Sequence, residues 1–261
     1  MPNYFVKNFK EINVFTNVIL PLIISFVGLT GALYFQSRVT DRNNRKKERQ
    51  YLVSLKADLL KDISKLDSIL LQIGITTKGL DSTLFQMQQP MNNITAVKLN
   101  YILSMKYDWF PSRVNFTVGT ISQLKYTGNL TLITDSEVAD SIGLYDVGIS
   151  LCHTDGDIVL DSYKETFSSQ KYVYNYKDRI DFQKKLGLKS SNELQRFSND
   201  YLLANMSNSV SMATTDKAKI IACYNDFANY QASLKLLQST LARQKRITKN
   251  LIHLIEVKYN I

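Results

Sequence analysis

The sequence predicts a mostly α-helical protein, with an N-terminal transmembrane helix followed by an antiparallel helical bundle whose first and last helices are long. Three observations support this fold class. An apolar run occupies residues 17–37, apolar residues return at every seventh position in two segments near the chain ends, and only four prolines occur in 261 residues. No alternating apolar pattern with hairpin turns indicates a β-sheet, so the helices are expected to pack on one another.

The apolar run has the length of a membrane span. No charged residue occurs between Ile12 and Ser37, and about 20 helical residues cross a hydrocarbon core of about 30 Å. We therefore assign residues 1–16 to a short N-terminal tail and residues 17–37 to a transmembrane anchor. The run is longer than the apolar core of a typical signal peptide and no A-x-A cleavage site follows it, so we expect the anchor to be retained.

A patch of small residues lies within the anchor. Gly28, Gly31 and Ala32 form this patch, and Gly28 and Ala32 have the small-xxx-small spacing that lets two membrane helices approach closely. The patch predicts packing against a second helix, from a partner or from another copy of the chain. Glycine is also common in membrane helices that do not associate, so this alternative stays open.

Residues 38–50 form a basic flank directly after the anchor. The flank contains six basic and two acidic residues, whereas the tail before the anchor has only Lys7 and Lys10 as basic residues. Because short flanks rich in Lys and Arg stay in the cytoplasm, this bias favours a cytoplasmic position for the bundle domain, residues 51–261. The flank residues predicted to lie at the membrane surface are Arg38, Arg42, Arg45, Lys46, Lys47 and Arg49.

The remaining positive charge lies at the other end of the chain. Formal net charge is +9 at pH 7, and the excess is concentrated in the basic flank and from Lys235 onward. A nucleic-acid-binding protein would be expected to spread basic and aromatic residues over one surface, so nucleic acid is not an expected partner. If the first and last bundle helices are antiparallel, the C-terminal basic segment returns towards the anchor. Both clusters would then face anionic lipid, so the bilayer is a predicted partner.

The two long bundle helices are predicted from seven-residue repeats. Gly74 and Gly79 are expected to end the first helix, and Asp216 offers a start for the last one, which we expect to run towards Ile261. The first repeat comprises Leu52, Leu59, Leu66 and Ile73, and the last comprises Ile220, Phe227, Leu234 and Leu241.

Shorter helices are expected between these two. A cap signal at Asp135 and Ser136 starts a helix that continues through the apolar residues to Leu151. The Tyr-rich stretch 163–179 stays unassigned. The other predicted helices are Thr95 to Lys106, Val114 to Tyr126 with a cap at Gly128, and Ser190 to Asn205.

The most site-like stretch is 152–161, which we interpret as a polar loop between helices. A calcium loop needs a central Gly and a closing Glu, and here the Gly comes too early. A transition-metal site would need more ligands than one Cys and one His. No nucleophile elbow, Walker motif or paired-histidine signature is present, so we expect no catalytic residues, metal or cofactor. The side chains of this stretch are Cys152, His153, Asp155, Asp157 and Asp161.

Two further features bear on interactions. Trp109 and Phe110 are candidate interface residues, because aromatic side chains anchor many protein interfaces, although core packing explains them as well. Cys152 and Cys223 are the only cysteines. They show no framework pattern, so two reduced, packed thiols are expected, with a disulfide as the alternative.

The order of anchor, the segment 43–70 and the segment 123–146 resembles a family of uncharacterised single-pass membrane proteins common in Bacteroidota. Those proteins share a basic flank, a "YL..L..DL..D...L" helix and an "l..sG.l.li.d..l" segment. The resemblance implies a bacterial envelope protein and supplies no known activity. This chain has a shorter and less basic N-terminal tail than the family pattern. The family pattern also implies an external domain, opposite to the side that the charge bias favours.

The favoured function is therefore that of a non-enzymatic, membrane-anchored protein, acting as an accessory or scaffold subunit of a bacterial envelope complex. Its expected contacts are with a protein partner or a second copy, through the anchor and through helical faces. The alternative is a ligand-sensing helical bundle, although the chain has no second apolar run that would return to the membrane. A metal-dependent enzyme that uses the stretch 152–161 is the weaker alternative.

Overall fold

The computed structural model describes residues 19–90, 93–108 and 114–261. The chain divides into two units, Met1–Leu52 and Val53–Ile261. Helix α1 contains residues of both units. The helices are α1 (Leu20–Met87), α2 (Ile94–Lys106), α3 (Gly119–Tyr126), α4 (Ser136–Val173), α5 (Tyr176–Lys185), α6 (Asn199–Asn205) and α7 (Lys217–Tyr259), with 3₁₀ turns at Asn129–Leu132 and Ser191–Arg196.

The predicted mostly α-helical fold is confirmed. Across the described residues the only β-type pairing is an isolated bridge between Tyr174 and Met212. The long apolar N-terminal helix and the long last helix are both present. Because each long helix has one apolar side, its burial against neighbouring helices accounts for the core.

Helix α1 is longer than predicted, and the expectation that Gly74 and Gly79 end it is wrong. The helix continues to Met87, with Leu80 and Thr83 fully buried. Gly79 lies against the ring of Tyr107, and a Cβ on Gly79 would be 2.0 Å from Tyr107 Cδ1. A glycine inside a helix costs only about 1 kcal/mol relative to alanine. The packing of Gly79 against Tyr107 and the burial of the residues that follow it in α1 offset this cost.

Helix α7 runs antiparallel to the part of α1 that lies in the second unit. Near the end of α7, Glu256 pairs with Lys56 at 2.9 Å, and near its start Tyr224 Oη accepts a hydrogen bond from Gln88 Nε2 at 2.7 Å. Between these contacts Leu234 is fully buried. The predicted N-cap is confirmed, because the Asp216 side chain accepts a hydrogen bond from the Ala218 N–H.

Helix α4 also packs antiparallel on α7, and it is much longer than predicted. Asp135 caps its start by accepting from the Val138 N–H, as expected. Gln244 Nε2 donates to the Tyr145 carbonyl at 3.0 Å, and Thr166 Oγ1 donates to the Asp226 carbonyl at 2.9 Å. The stretch 152–161 therefore lies in the middle of a helix, and its interpretation as a loop is wrong.

The shorter segments agree with the sequence only in part. Helix α2 matches its prediction closely. The predicted helix from Val114 begins only at Gly119, because Asp62 on α1 binds the segment 114–118: its Oδ1 accepts from the Thr117 N–H at 2.9 Å and from Thr117 Oγ1 at 2.8 Å. The predicted helix from Ser190 divides into a 3₁₀ turn and α6.

Candidate interaction surfaces

The anchor segment of α1 is long and apolar enough to cross a membrane. Its most apolar 18-residue window has a mean hydropathy of 1.5, and none of the window is buried. Large side chains such as Phe26, Leu29 and Phe35 are exposed along it. An apolar surface of this extent needs an apolar environment or a partner, and the segment is therefore a candidate membrane anchor.

The small-residue patch lies on this exposed segment. Apart from the neighbouring backbone of the same helix, no atom of the described residues lies within 4 Å of where a Cβ on Gly28 or Gly31 would be. The patch is thus open to a second helix on steric grounds. Its role in helix packing stays a prediction, and so does that of Ala32.

The basic flank continues α1 as helix. All six of its basic residues are exposed. Arg38 donates from Nη2 to Tyr34 Oη at 2.7 Å, and its guanidinium carbon lies 5.2 Å from the Tyr34 ring centroid. A tyrosine and an arginine at the end of an apolar segment are typical of residues at the membrane interface.

The C-terminal basic residues are partly neutralised within the second unit. Lys258 Nζ lies 3.0 Å from Glu137 and 3.4 Å from Asp135 at the start of α4, and hydrogen bonding to Glu137 raises the pKa of Lys258. Lys245 pairs with Asp67. Arg243, Arg246 and Lys249 of this segment are exposed.

The stretch 152–161 does not gather its side chains at one point. Cys152 is buried, Asp155 accepts a hydrogen bond from Thr240 Oγ1 at 2.5 Å, and Asp161 is exposed beside Lys164. Among residues 19–90, 93–108 and 114–261, no group of three or more His, Cys, Asp and Glu side chains could hold a metal ion.

The two cysteines are unpaired and buried. Burial raises the pKa of the Cys152 thiol and of the Cys223 thiol to about 12 each. Because the thiolate is the nucleophilic form, neither side chain has the environment of a reactive cysteine.

The other predicted interface residues, Trp109 and Phe110, lie outside the described residues.

His153, from the stretch 152–161, is exposed on α4. Its Nε2 lies 3.3 Å from the Val114 carbonyl, and its ring centroid lies 5.9 Å from that of Phe116. These contacts attach the segment 114–118, before α3, to α4.

Helix α4 has a second apolar face, which the sequence patterns did not predict. Leu144, Val147, Leu151 and Ile158 are 59%, 58%, 44% and 44% exposed. We call these four residues the α4 seam. The buried face of the same helix contains Ile142, Tyr145 and Ile149. The sequence pattern that could have predicted this face is the seven-residue spacing of Leu144, Leu151 and Ile158, which is typical of a helix that packs on another helix.

The rim of the α4 seam is acidic. Asp140 lies before the seam, and Asp161 and Glu165 lie after it on the same side of the helix; all three are exposed. Lys164 pairs with Asp161 at 2.9 Å. The seam therefore combines an apolar centre with negatively charged ends.

Comparison of the chain with protein-family models, with curated proteins and with solved structures finds no match. The sequence and the surfaces described above are thus the basis for a functional proposal.

Proposed function

We propose that this chain is a non-enzymatic, single-pass membrane protein that serves as an accessory or scaffold subunit of a bacterial envelope complex. The α4 seam is the observation that carries the proposal. Four large apolar side chains in helical register are exposed on a helix whose opposite face already packs on α7. Burial of such side chains is a principal source of binding free energy at protein interfaces.

The partner that suits the seam is an amphipathic helix with basic residues beside its apolar face. Opposite charges at the rim favour the encounter and the correct register. A second copy of α4 fits less well, because an antiparallel pair would bring Asp140 of one copy towards Asp161 and Glu165 of the other. A parallel pair would bring identical carboxylates together.

The proposed location is the inner membrane, with the second unit in the cytoplasm. The exposed cations of the basic flank support this orientation, because Lys and Arg near a span are retained on the cytoplasmic side. The resemblance to the Bacteroidota single-pass proteins supports the envelope and favours the opposite side of the membrane. The two orientations differ in whether a cysteine on the second unit can be reached from outside the membrane.

Site-specific photocrosslinking in native membranes tests the seam. Benzoylphenylalanine at Val147 is expected to crosslink one discrete protein, whereas the same group at Val257, exposed on α7, should not. Leu144→Lys with Leu151→Lys should abolish the crosslink from Val147 and release the partner on purification. The matched control, Ile221→Lys with Val257→Lys, should retain it.

Two results would contradict the proposal. Crosslinks of equal yield from Val147 in the seam variant and in the wild type would show that the seam does not bind. A crosslinked band of twice the chain mass would identify a second copy in place of a basic partner helix.

The anchor is the second expected contact. Gly28→Ile fills the space that a closely packed helix would occupy, so it should reduce the size of complexes extracted in detergent. Leu29→Ile, at a position without the small side chain, is the control. Unchanged size for Gly28→Ile would remove the small-residue patch from the proposed interface.

A further inference from the structure

A cavity of about 270 Å³ lies between α5 and the segment that follows α6. All of its lining residues belong to the second unit, and the cavity plays no part in the docking function proposed above. Pockets for drug-sized ligands have volumes of about 300–1,000 Å³, so this cavity suits a smaller molecule. Its lining combines apolar, hydroxyl and charged side chains, and their arrangement indicates the class of ligand.

Three apolar side chains form one wall of the cavity. Phe182 on α5, and Met206 and Val210 after α6, are only 4%, 4% and 3% exposed. Because these side chains are packed in the core, the wall has a fixed shape. A ligand with an apolar group of a few carbon atoms would bury that group against the wall, which contributes to the free energy of binding.

Two carboxylates line the same cavity from α5. Asp178 lies in the first turn of the helix, and Asp181 lies three residues further on. Neither carboxylate has a hydrogen bond or an ion pair with any described residue. The charge of Asp178 acts on a neighbouring phenol: burial, and to a smaller extent this negative charge, raise the pKa of Tyr101 to about 12. The lining therefore has carboxylates whose charge is not neutralised.

The cation of the lining does not pair with these carboxylates. Lys185 follows Asp181 by four residues, a spacing at which acidic and basic side chains often pair on a helix surface. Lys185 Nζ instead donates to the Asn205 carbonyl at 2.6 Å. Both carboxylates thus stay open to a cation that enters the cavity.

We infer that this cavity binds a small primary amine that carries an apolar group. At neutral pH such an amine is an ammonium ion with three N–H donors, which suits the two carboxylates. The hydroxyl oxygens of Ser207 and Ser209, which lie 2.7 Å apart, add further acceptors. The apolar group of the amine packs on the wall that contains Phe182. An anion is disfavoured by Asp178 and Asp181, and Ca²⁺ is disfavoured because it takes about six to eight oxygen ligands.

Two sources supply this chemistry: a free amine, and the ammonium group of an amino acid. The ammonium group of Lys185 has three N–H donors, of which the Asn205 carbonyl uses one. The other two would bind the carboxylate of an amino acid. The experiment therefore compares the two sources.

Calorimetric titration of the full chain in a non-ionic detergent tests this inference. The probes are the amines phenethylamine and isoamylamine and the amino acids phenylalanine and leucine, with phenethyl alcohol and isoamyl alcohol as uncharged comparisons. At least one probe is expected to bind with a Kd of about 1 mM or tighter, and the alcohol of the same shape at least about tenfold more weakly. Tighter binding of the amines assigns a free amine, and tighter binding of the amino acids assigns an amino acid. Both results support the inference.

The variants connect the binding to the cavity. Asp181→Asn should weaken binding by about tenfold or more, because it removes the charge from an acceptor of the ammonium group. Asp178→Asn should weaken binding similarly. The matched control is Asp200→Asn, at an exposed carboxylate in the first turn of α6 that lies outside the lining, and it should leave the Kd unchanged. If Asp178→Asn unfolds the chain, Asp181→Asn decides.

Three outcomes would overturn the inference: no binding of any amine or amino acid, equal binding of the corresponding alcohols, or equal affinities of Asp181→Asn and Asp200→Asn. None of them bears on the α4 seam, whose crosslinking requires no amine. The two proposals therefore fail independently.

Discussion

Leu59 and Leu60 are neighbours in α1 with the same side chain and opposite surroundings. Leu59 is fully buried and Leu60 is 51% exposed. On α7, Leu234 is fully buried and Leu236 is about half exposed. These two pairs show how a rotation of about 100° per helical residue separates core from surface. In each pair the exposed leucine is the control for a substitution of the buried one.

Leu59→Asp and Leu234→Asp should each unfold the second unit or reduce its free energy of unfolding by about 3–5 kcal/mol, because each places an unpaired charge in the core. Leu60→Asp and Leu236→Asp should change it by less than about 1 kcal/mol. Thermal and urea unfolding of the full chain in detergent, followed by circular dichroism, measures the difference. Equal midpoints for the core and surface variants would contradict the packing of α1 and α7.

Gly79 and Gly74 form a second comparison at the residue scale. Gly79→Ala forces the Tyr107 ring to move, since the new Cβ would lie 2.0 Å from it, and overpacking of this kind costs about 1–3 kcal/mol. At Gly74 the nearest atom from outside its own helix, Gln238 Nε2, would lie 3.8 Å from the new Cβ, so Gly74→Ala should stabilise the helix by about 0.5–1 kcal/mol. Urea unfolding measures both; a stabilising Gly79→Ala would show that the ring does not pack there.

At the scale of elements, the starts of α4 and α7 could be predicted from sequence, whereas the ends of α1 and α4 could not. Asp135 and Asp216 cap the N-termini of α4 and α7. Each carboxylate accepts a hydrogen bond from a backbone N–H two or three residues further on. Such signals are local, so a sequence pattern contains them. The extension of α1 past Gly79 depends on Tyr107, which follows α2. No local pattern contains that contact.

Helix α4 is continuous through the stretch 152–161. Substitutions at Gly156 should therefore have the effects expected inside a helix and not those expected in a loop. Gly156 lies inside the helix, and apart from the helix's own backbone no atom in the described part of the chain lies within 4 Å of where its Cβ would be. Gly156→Ala should therefore stabilise the chain by about 0.5–1 kcal/mol, and Gly156→Pro should destabilise it by about 3 kcal/mol or more because it breaks a helical hydrogen bond. Urea titration of both variants is the measurement, and tolerance of proline would restore the loop interpretation.

At the scale of the whole molecule, buried phenols and thiols determine the response to alkaline pH. Burial raises the pKa of Tyr101 from 10.0 to about 12, and the pKa of each cysteine from 9.0 to about 12. The folded state therefore holds these protons more tightly than the unfolded state. Their contribution to stability is complete below about pH 9 and is lost as the pH rises towards about 12.

The free energy of unfolding should accordingly stay level from about pH 7 to about pH 9 and then decrease steadily. Urea titrations of the full chain over this range and up to about pH 11 provide the measurement. In Cys223→Ala, compared with the wild type, the decrease should be smaller because one shifted group is gone. A level free energy up to about pH 11 would contradict the burial of these groups.

The orientation in the membrane is also a property of the whole molecule. Tyr126 is 91% exposed, so Tyr126→Cys in a background with Cys152→Ala and Cys223→Ala provides one accessible thiol. A membrane-impermeant thiol reagent applied to spheroplasts should label this cysteine only after lysis, because the charge bias favours a cytoplasmic second unit. Labelling of intact spheroplasts would reverse the proposed orientation.

The sequence by itself determined the helical class, the apolar segment with its basic flank, and the starts of the long helices, because each depends on residues close together in the chain. Only the tertiary structure decided which faces remain uncovered and which distant groups meet. Asp108 and Arg179 lie 71 positions apart, and no periodicity relates them. The α4 seam has the same spacing as a core stripe, and it becomes a surface only because α7 packs on the other face of α4. Local backbone preferences and hydrophobic periodicity can be read along the chain, whereas exposure depends on which of two apolar faces buries more surface in the assembled bundle.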